Sequence, residues 1–278
     1  MLRSKYILGG LTILLGLALI TPVYSTPNLS IDGTASNSCS GLTSCSVTPF
    51  GTSNPNDVIV VLATTFAVTF NTPTDVQGHL SFALRKTFTA GVTDSEWWAV
   101  ASTALSGDTI TLTSTSGPAS IGLVVWGING ANTMSPFDPS SGVPATNSGT
   151  ATCSTPCIYP VTGTISSTSN GNDMILGLAG DDVSNVLGAG SGFTLIAITA
   201  VAAAEFEVVT STQTGLSVPM SLSLAQIQGT GTANWVMIVD AVQGLPTPLI
   251  PEYPLGISVL AISTILAYAV IKRSTITK

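Results

Sequence analysis

Between residues 26 and 243 apolar side chains recur at every second position, a spacing that only an extended strand gathers onto one face. Leu80, Phe82 and Leu84 alternate with Ser81, Ala83 and Arg85; Ile110 and Leu112 alternate with threonines; Phe206 and Val208 alternate with Glu205 and Glu207. Each run predicts one face in the core and one in water. Residues 58–62, 121–128 and 235–239 are apolar almost throughout, which suits central strands covered on both sides. Residues 196–204 are alanine-rich and compatible with a helix, but their β-branched neighbours favour a strand. Turn residues separate the runs at Asn54-Pro55-Asn56-Asp57, Ser106-Gly107-Asp108, Gly190-Ser191-Gly192 and Gly229-Thr230-Gly231. Roughly ten strands with short turns point to an all-β fold, a two-sheet sandwich with jelly-roll topology.

Residues 129–157 have little apolar periodicity and many Gly, Pro, Ser and Thr, so they form either a long loop or a boundary between two β domains. One sandwich over residues 26–243 is the reading preferred here, because no internal repeat of solenoid period is apparent.

The two ends give an address. Arg3 and Lys5 precede an uncharged run at 6–20 and the small-residue region Val23-Tyr24-Ser25, the three parts of a secretory signal peptide cleaved after Ser25. Residues 255–271 carry no charge, and Lys272, Arg273 and Lys278 follow. As a helix that run spans about 26 Å at about 1.5 Å per residue, enough for one membrane crossing. The basic tail at 272–278 stays cytoplasmic by the positive-inside rule, which places residues 26–254 on the extracellular face of the cell membrane. Residues 244–254 contain four prolines and form a stiff, extended stalk.

The order Pro251-Glu252-Tyr253-Pro254, apolar run, Lys272-Arg273 resembles the three-part C-terminal sorting signals of archaeal surface proteins, in the PEF type, with Tyr253 where that family has phenylalanine. The resemblance covers about the last thirty residues. It implies an archaeal surface protein and a sortase-like processing enzyme as a partner, and implies nothing about the activity of the ectodomain.

Charged residues make up only 8% of the chain, so the polar surface must come largely from Ser, Thr, Asn and Gly. Excluding the termini, 13 carboxylates lie between Asp32 and Asp240 against two bases, Arg85 and Lys86, for a net charge of −11. Such a balance repels phosphate backbones, excludes nucleic acid as a partner and suits cations. Cys39 with Cys45, and Cys153 with Cys157, are two close pairs in hydroxyl-rich stretches; outside the cell they predict two local disulfides. The alternative is one zinc held by all four thiolates.

Candidate sites are few. His79 is the single histidine and sits after Gln77-Gly78 as a turn residue would, so a Ser/His/Asp triad has little to build on. Asp94 with Glu96, and Glu205 with Glu207, are carboxylates two apart on a strand; they share a face about 7 Å apart, within the range of inverting glycoside hydrolases. Asp138, Asn170, Asn172, Asp173, Asp181 and Asp182 offer hard oxygen ligands for calcium, or equally Asx turns. Trp97 and Trp98 should point to opposite faces, one into the core and one to solvent or a covering loop, where it could stack on a sugar. Trp126 and Trp235 read as core, and Asn28-Leu29-Ser30 is a glycosylation sequon.

The expected function is therefore a membrane-anchored surface protein with a structural, adhesive or ligand-binding role, its partners being surface glycans or envelope proteins. A carbohydrate-active enzyme using paired carboxylates and a strand-donating filament subunit are the alternatives.

Overall fold

The computed structural model describes residues 28–66, 68–154, 158–182, 186–223 and 230–245. The signal peptide, nearly all of the stalk, the C-terminal run and the basic tail expected from the sequence lie outside them. Among the described residues the secondary structure is all β, with no helix long and apolar enough to cross a membrane.

Among the described residues sixteen strands are present rather than ten. The first eight are β1 (Ser30–Leu42), β2 (Ser44–Phe50), β3 (Asp57–Phe66), β4 (Thr74–Asp75), β5 (Ala83–Ala90), β6 (Val92–Ala101), β7 (Asp108–Thr113) and β8 (Ala119–Asn129). The second eight are β9 (Ala145–Ser154), β10 (Ile158–Ser167), β11 (Asp173–Asp181), β12 (Val186–Ala189), β13 (Thr194–Ile198), β14 (Ala202–Val209), β15 (Thr214–Ser223) and β16 (Thr230–Gln243).

These strands make four antiparallel sheets, and the order in the first half is repeated in the second. The first half has β1-β8-β3-β6-β5 and β2-β7-β4; adding eight to each number gives β9-β16-β11-β14-β13 and β10-β15-β12. Registers agree as well: Asp57 faces Ala101 across β3 and β6, and Asp173 faces Val209 across β11 and β14. The strand order is thus an internal repeat, the mark of a tandem duplication, with residues 130–144 joining the halves within one compact unit, Pro27–Leu245.

A trace of the duplication survives in the sequence. Thr52-Ser53-Asn54-Pro55-Asn56-Asp57 returns as Thr168-Ser169-Asn170-Gly171-Asn172-Asp173, and Ala35-Ser36-Asn37-Ser38 returns as Ala145-Thr146-Asn147-Ser148. Equivalent bonds accompany them. Asn37 Nδ2 donates to the Ser46 carbonyl at 2.7 Å, as Asn147 Nδ2 does to the Thr162 carbonyl at 2.6 Å. Thr52 Oγ1 accepts from the Leu105 amide at 3.1 Å, as Thr168 Oγ1 does from the Gln213 amide at 2.9 Å. Gly107 and Gly215 open β7 and β15 at φ of 66° and 63°, a left-handed turn that a side chain would strain.

Three apolar layers result. Ile59, Val61, Trp97, Leu123 and Val125 pack with Val47, Ile110 and Leu112 of the small first-half sheet. Ile175, Met237 and Val239 pack likewise with Val161, Val218 and Leu222 in the second half. Between the halves, Val58, Val60, Leu62, Val124 and Trp126 meet Met174, Leu176, Leu178, Ile238 and Val242. The central strands of the two five-stranded sheets therefore bury both faces, which is why β3, β8 and β16 read as continuous apolar runs, while the edge strands β1, β5 and β13 stay partly exposed. The same burial corrects the reading of β14: Glu205 is fully buried, not on a wet face.

Trp126 is completely buried in the middle layer that both halves share. Replacing it with Ala is expected to cost about 3–5 kcal/mol. Urea unfolding followed by circular dichroism should give one transition at lower midpoint for both halves; two separated transitions would show that the layer does not couple them.

Candidate functional site

Nine of the 13 carboxylates are buried: Asp57, Asp94, Glu96, Asp108, Asp138, Asp173, Asp181, Glu205 and Asp240. No Asp, Glu, Lys or Arg among the described residues is fully exposed. The acidic surface expected from net charge is therefore mostly an acidic interior.

Asp94 and Glu96 do share a face of β6, but it is the face toward the second half. A bulge in the β5–β6 pairing between Leu84 and Lys86 leaves Arg85 as the extra residue, and bulges re-aim side chains. Arg85 reaches across the halves to Asp240 of β16, with Nε 2.7 Å from Oδ2 and Nη2 3.0 Å from Oδ1. Its guanidinium carbon lies 4.2 Å from the centre of the Phe137 ring, and Phe137 meets Trp98 edge to face at 5.7 Å. Of the two environments open to the outer tryptophan, solvent or a covering loop, Trp98 has the second, under the segment joining the halves, while Trp97 packs in the first-half core against Phe70.

Glu96 completes this group. Neither of its oxygens receives an N–H or O–H donor, and the Asp240 carboxylate lies within hydrogen-bonding reach. Burial, then the charge of Asp240, drives the Glu96 pKa well above the usual carboxylate range, with Arg85 opposing. Burial also raises Asp240, against the bonds and charge of Arg85. One guanidinium faces two acids, so the stable arrangement is ionised Asp240 with a proton on Glu96. This contact is closer than the roughly 5 Å separation of retaining glycosidases.

Two further acid pairs occupy equivalent places in the repeats. Asp32 accepts from the Ser53 amide at 2.9 Å, the Asn54 amide at 2.8 Å and Asn54 Nδ2 at 2.9 Å. Asp138 accepts from the Ser169 amide at 2.8 Å, Ser169 Oγ at 2.9 Å, the Asn170 amide at 3.0 Å and the Ser140 amide at 2.7 Å. Burial alone would raise both, but these donors outweigh it and hold both below the usual range. Against Asp32 lies Asp57, pushed up to about 6 by burial and by Asp32, though Asn129 Nδ2 donates to it at 3.1 Å. Against Asp138 lies Asp173, with no donor on either oxygen, pushed up to about 8 by burial and by Asp138.

The other candidates are dispersed. Asp94 accepts from Thr64 Oγ1 at 2.5 Å, and burial raises it well above the usual range, with Asp181 adding to the rise. Glu205 accepts from the Gly190 amide at 2.7 Å in the second-half core, where burial pushes it up to about 7; Glu207 is only half-buried. His79 is exposed, and its backbone amide donates to Asp75 at 2.6 Å. Asp173 and Asp181 stand at opposite ends of β11, and Asp182 accepts from Asn234. Asp138 and Asn170 do come together with Asp173, but no group of three or more Asp, Glu, His or Cys able to hold a metal occurs among the described residues. An open depression of about 330 Å³ beside Asn56, Asn129 and Leu245 has no carboxylate in its lining.

Cys39 and Cys45 are joined, with Cα atoms 5.6 Å apart, so a zinc cage of four thiolates is not available. Cys157 and the side chain of Cys153 lie outside the described residues, as do Pro251, Glu252, Tyr253 and Pro254. Asn28 is exposed. Trp126 and Trp235 are both buried, as expected. No protein-family model, curated protein or solved structure matches the chain.

The duplicated hexapeptide, 116 residues apart, was the signal that would have located the Asp57 and Asp173 pairs. Removing the cation that reaches Asp240 should be costly: Arg85→Ala is expected to destabilise the protein by about 3–5 kcal/mol at neutral pH. Adding Asp240→Leu should recover most of that loss. Urea midpoints of the single and double variants check this.

Proposed function

We propose that the chain is a membrane-anchored protein of the extracellular cell surface, whose paired sandwiches, each wound as a jelly roll, stand on a proline-rich stalk in a structural, adhesive or ligand-binding role. One observation carries the non-catalytic part of this reading. The groups able to do acid–base chemistry lie mostly in the interior, while the exterior is rich in Ser, Thr, Asn and Gly, with scattered apolar residues such as Val76 and Met134 and no fully exposed Asp, Glu, Lys or Arg among the described residues. The acids that could serve a glycosidase do not meet in a cleft: Asp94 and Glu96 face the second half, and Glu205 faces its own core.

Three features support the address. The Cys39–Cys45 disulfide fits an oxidising compartment. Asn28, just beyond the signal-cleavage site read from the sequence, is exposed as a glycosylation acceptor must be. The last strand ends at Gln243, so the proline stalk begins directly where the sandwich stops. The PEF-like tail adds a sorting signal, and a surface of hydroxyls and amides suits contact with glycans or neighbouring envelope proteins.

Protease added to intact cells should remove an epitope placed in the sandwiches and spare a tag fused after Lys278. Protection of the sandwich epitope until lysis would overturn the location. The purified protein should show no sustained turnover of polysaccharides; turnover abolished by Asp94→Asn or Glu205→Gln would establish the enzymatic alternative instead.

A further inference from the structure

We propose that this fold is held together by protons shared between paired carboxyl groups, so that the sandwiches are built to be most stable in mildly acidic surroundings and loosen as the medium turns alkaline. The inference goes beyond the surface role and does not depend on it.

Its basis is geometric. Three acid pairs, Asp32 with Asp57, Asp138 with Asp173 and Glu96 with Asp240, each set a carboxyl poor in donors against a carboxylate rich in them. Asp32 and Asp138 are saturated by backbone amides and Asn side chains. Their partners are fully buried, and Asp57 Oδ2 and both oxygens of Asp173 and Glu96 receive no donor. A proton on the starved member gives it a hydrogen bond to donate and removes its buried charge from beside that of its partner. The arrangement occurs twice at matching positions, so it belongs to the repeat and not to an accident of one loop.

Among the described residues nothing else nearby supplies the missing positive charge. Asp57 is faced by Asp32 from β1 and by neutral Asn129 from β8. Asp173 is faced by Asp138, whose other neighbour Asn170 donates to neutral Gln243 of β16. Glu96 is faced by Asp240 of β16 and Arg85 of β5; Arg85 is spent on Asp240, and Lys86, opposite Glu96 on β5, makes no ion pair among the described residues. Asp94 is faced by Thr64 of β3 and by Asp181 of β11. A proton fits these places better than a divalent cation, because the carboxylate of each repeated pair already spends its lone pairs on N–H donors.

The direction of the pH response follows from linkage. Asp57 and Asp173 keep their protons to about 6 and about 8, against 3.8 when unperturbed, so unfolding releases protons between those values. Their contribution is complete below 3.8 and is lost as pH rises through about 6 and about 8. Glu205 acts in the same sense, its contribution fading as pH rises through about 7. Asp32 and Asp138 act oppositely: their lowered values contribute stability that is lost as pH falls below the ordinary carboxylate range. The optimum therefore falls between, on the acid side of neutrality.

The full chain in a mild non-ionic detergent provides the test, because all four tryptophans, Trp97, Trp98, Trp126 and Trp235, lie in the sandwiches and report only on them. The folded-to-unfolded ratio from urea titrations should fall at least about a hundredfold between about pH 5 and about pH 8. Asp57→Asn and Asp173→Asn, which replace the proton with an amide donor, should each flatten that dependence. Infrared difference spectra of the unmodified protein should show a protonated-carboxyl stretch at about pH 5 that fades by about pH 9, and that is weakened in each variant. Stability that is level or rising over this interval, or the absence of that stretch at acid pH, would overturn the proposal. So would recovery of alkaline stability by millimolar calcium that is lost in both variants, since the pairs would then be cation sites.

Discussion

The apolar layer shared by the two halves is the constraint from which most of this structure follows. A five-stranded sheet of either half has one face on its own small sheet and the other on its counterpart, so neither face of its central strands is left for water. A charged side chain in β6 or β16 has no solvated exit. It must be paired, hydrogen-bonded or protonated. Arg85 with Asp240, the proton-seeking Glu96 beside them, and Thr64 with Asp94 are three local answers to that single restriction.

Duplication explains the architecture, and divergence explains how the halves fit. Trp126 pairs with Val60, and Asp240 pairs with Leu176, so the two stand at equivalent positions of their repeats. Glu96 and Asp94 face Leu62 and Thr64, and their equivalents Ala204 and Ala202 face Leu178 and Gly180. Two identical copies meeting face to face would present the same residues twice about an axis. Here a large aromatic corresponds to an acid, and acids correspond to alanines. That asymmetry lets the second half give room and one counter-charged partner while the first half supplies Arg85. By contrast, the Thr-Ser-Asn loops that bracket β3 and β11 lie within their own halves, and they kept their sequence.

The fold class was legible because period two and turn residues are local signals. The Ile110 and Leu112 alternation is β7, and the alanine-rich stretch is the strands β13 and β14 on either side of a short turn. The duplication was harder to read, since strand sequences tolerate any apolar residue of suitable size and only hydrogen-bonding loop residues resist change. The carboxylates failed for a related reason. Alternation establishes that Asp94 and Glu96 share a face, but whether that face is wet depends on a layer more than 70 residues away in the chain, beginning with β11. Alternation puts Trp97 and Trp98 on opposite faces but does not say which is covered or by what; the cover of Trp98, Phe137, belongs to a segment that the sequence marks only as polar and irregular. Arg85 is brought to Asp240 by a bulge, and nothing in the sequence of β5 announces one.

Where the charge resides determines what pH can do to such a molecule. In an ordinary globular protein most carboxylates are solvated, so acidification changes the net surface charge and with it solubility and self-repulsion. This protein reverses that distribution. Its described exterior carries no fully exposed Asp, Glu, Lys or Arg, although His79 is exposed and Asp32, Asp75, Asp182 and Glu207 are partly so. Most of the carboxyl groups sit instead in the interior, where Arg85 forms an ion pair with Asp240. The pH of the surroundings is thereby registered in the interior as well as at the surface.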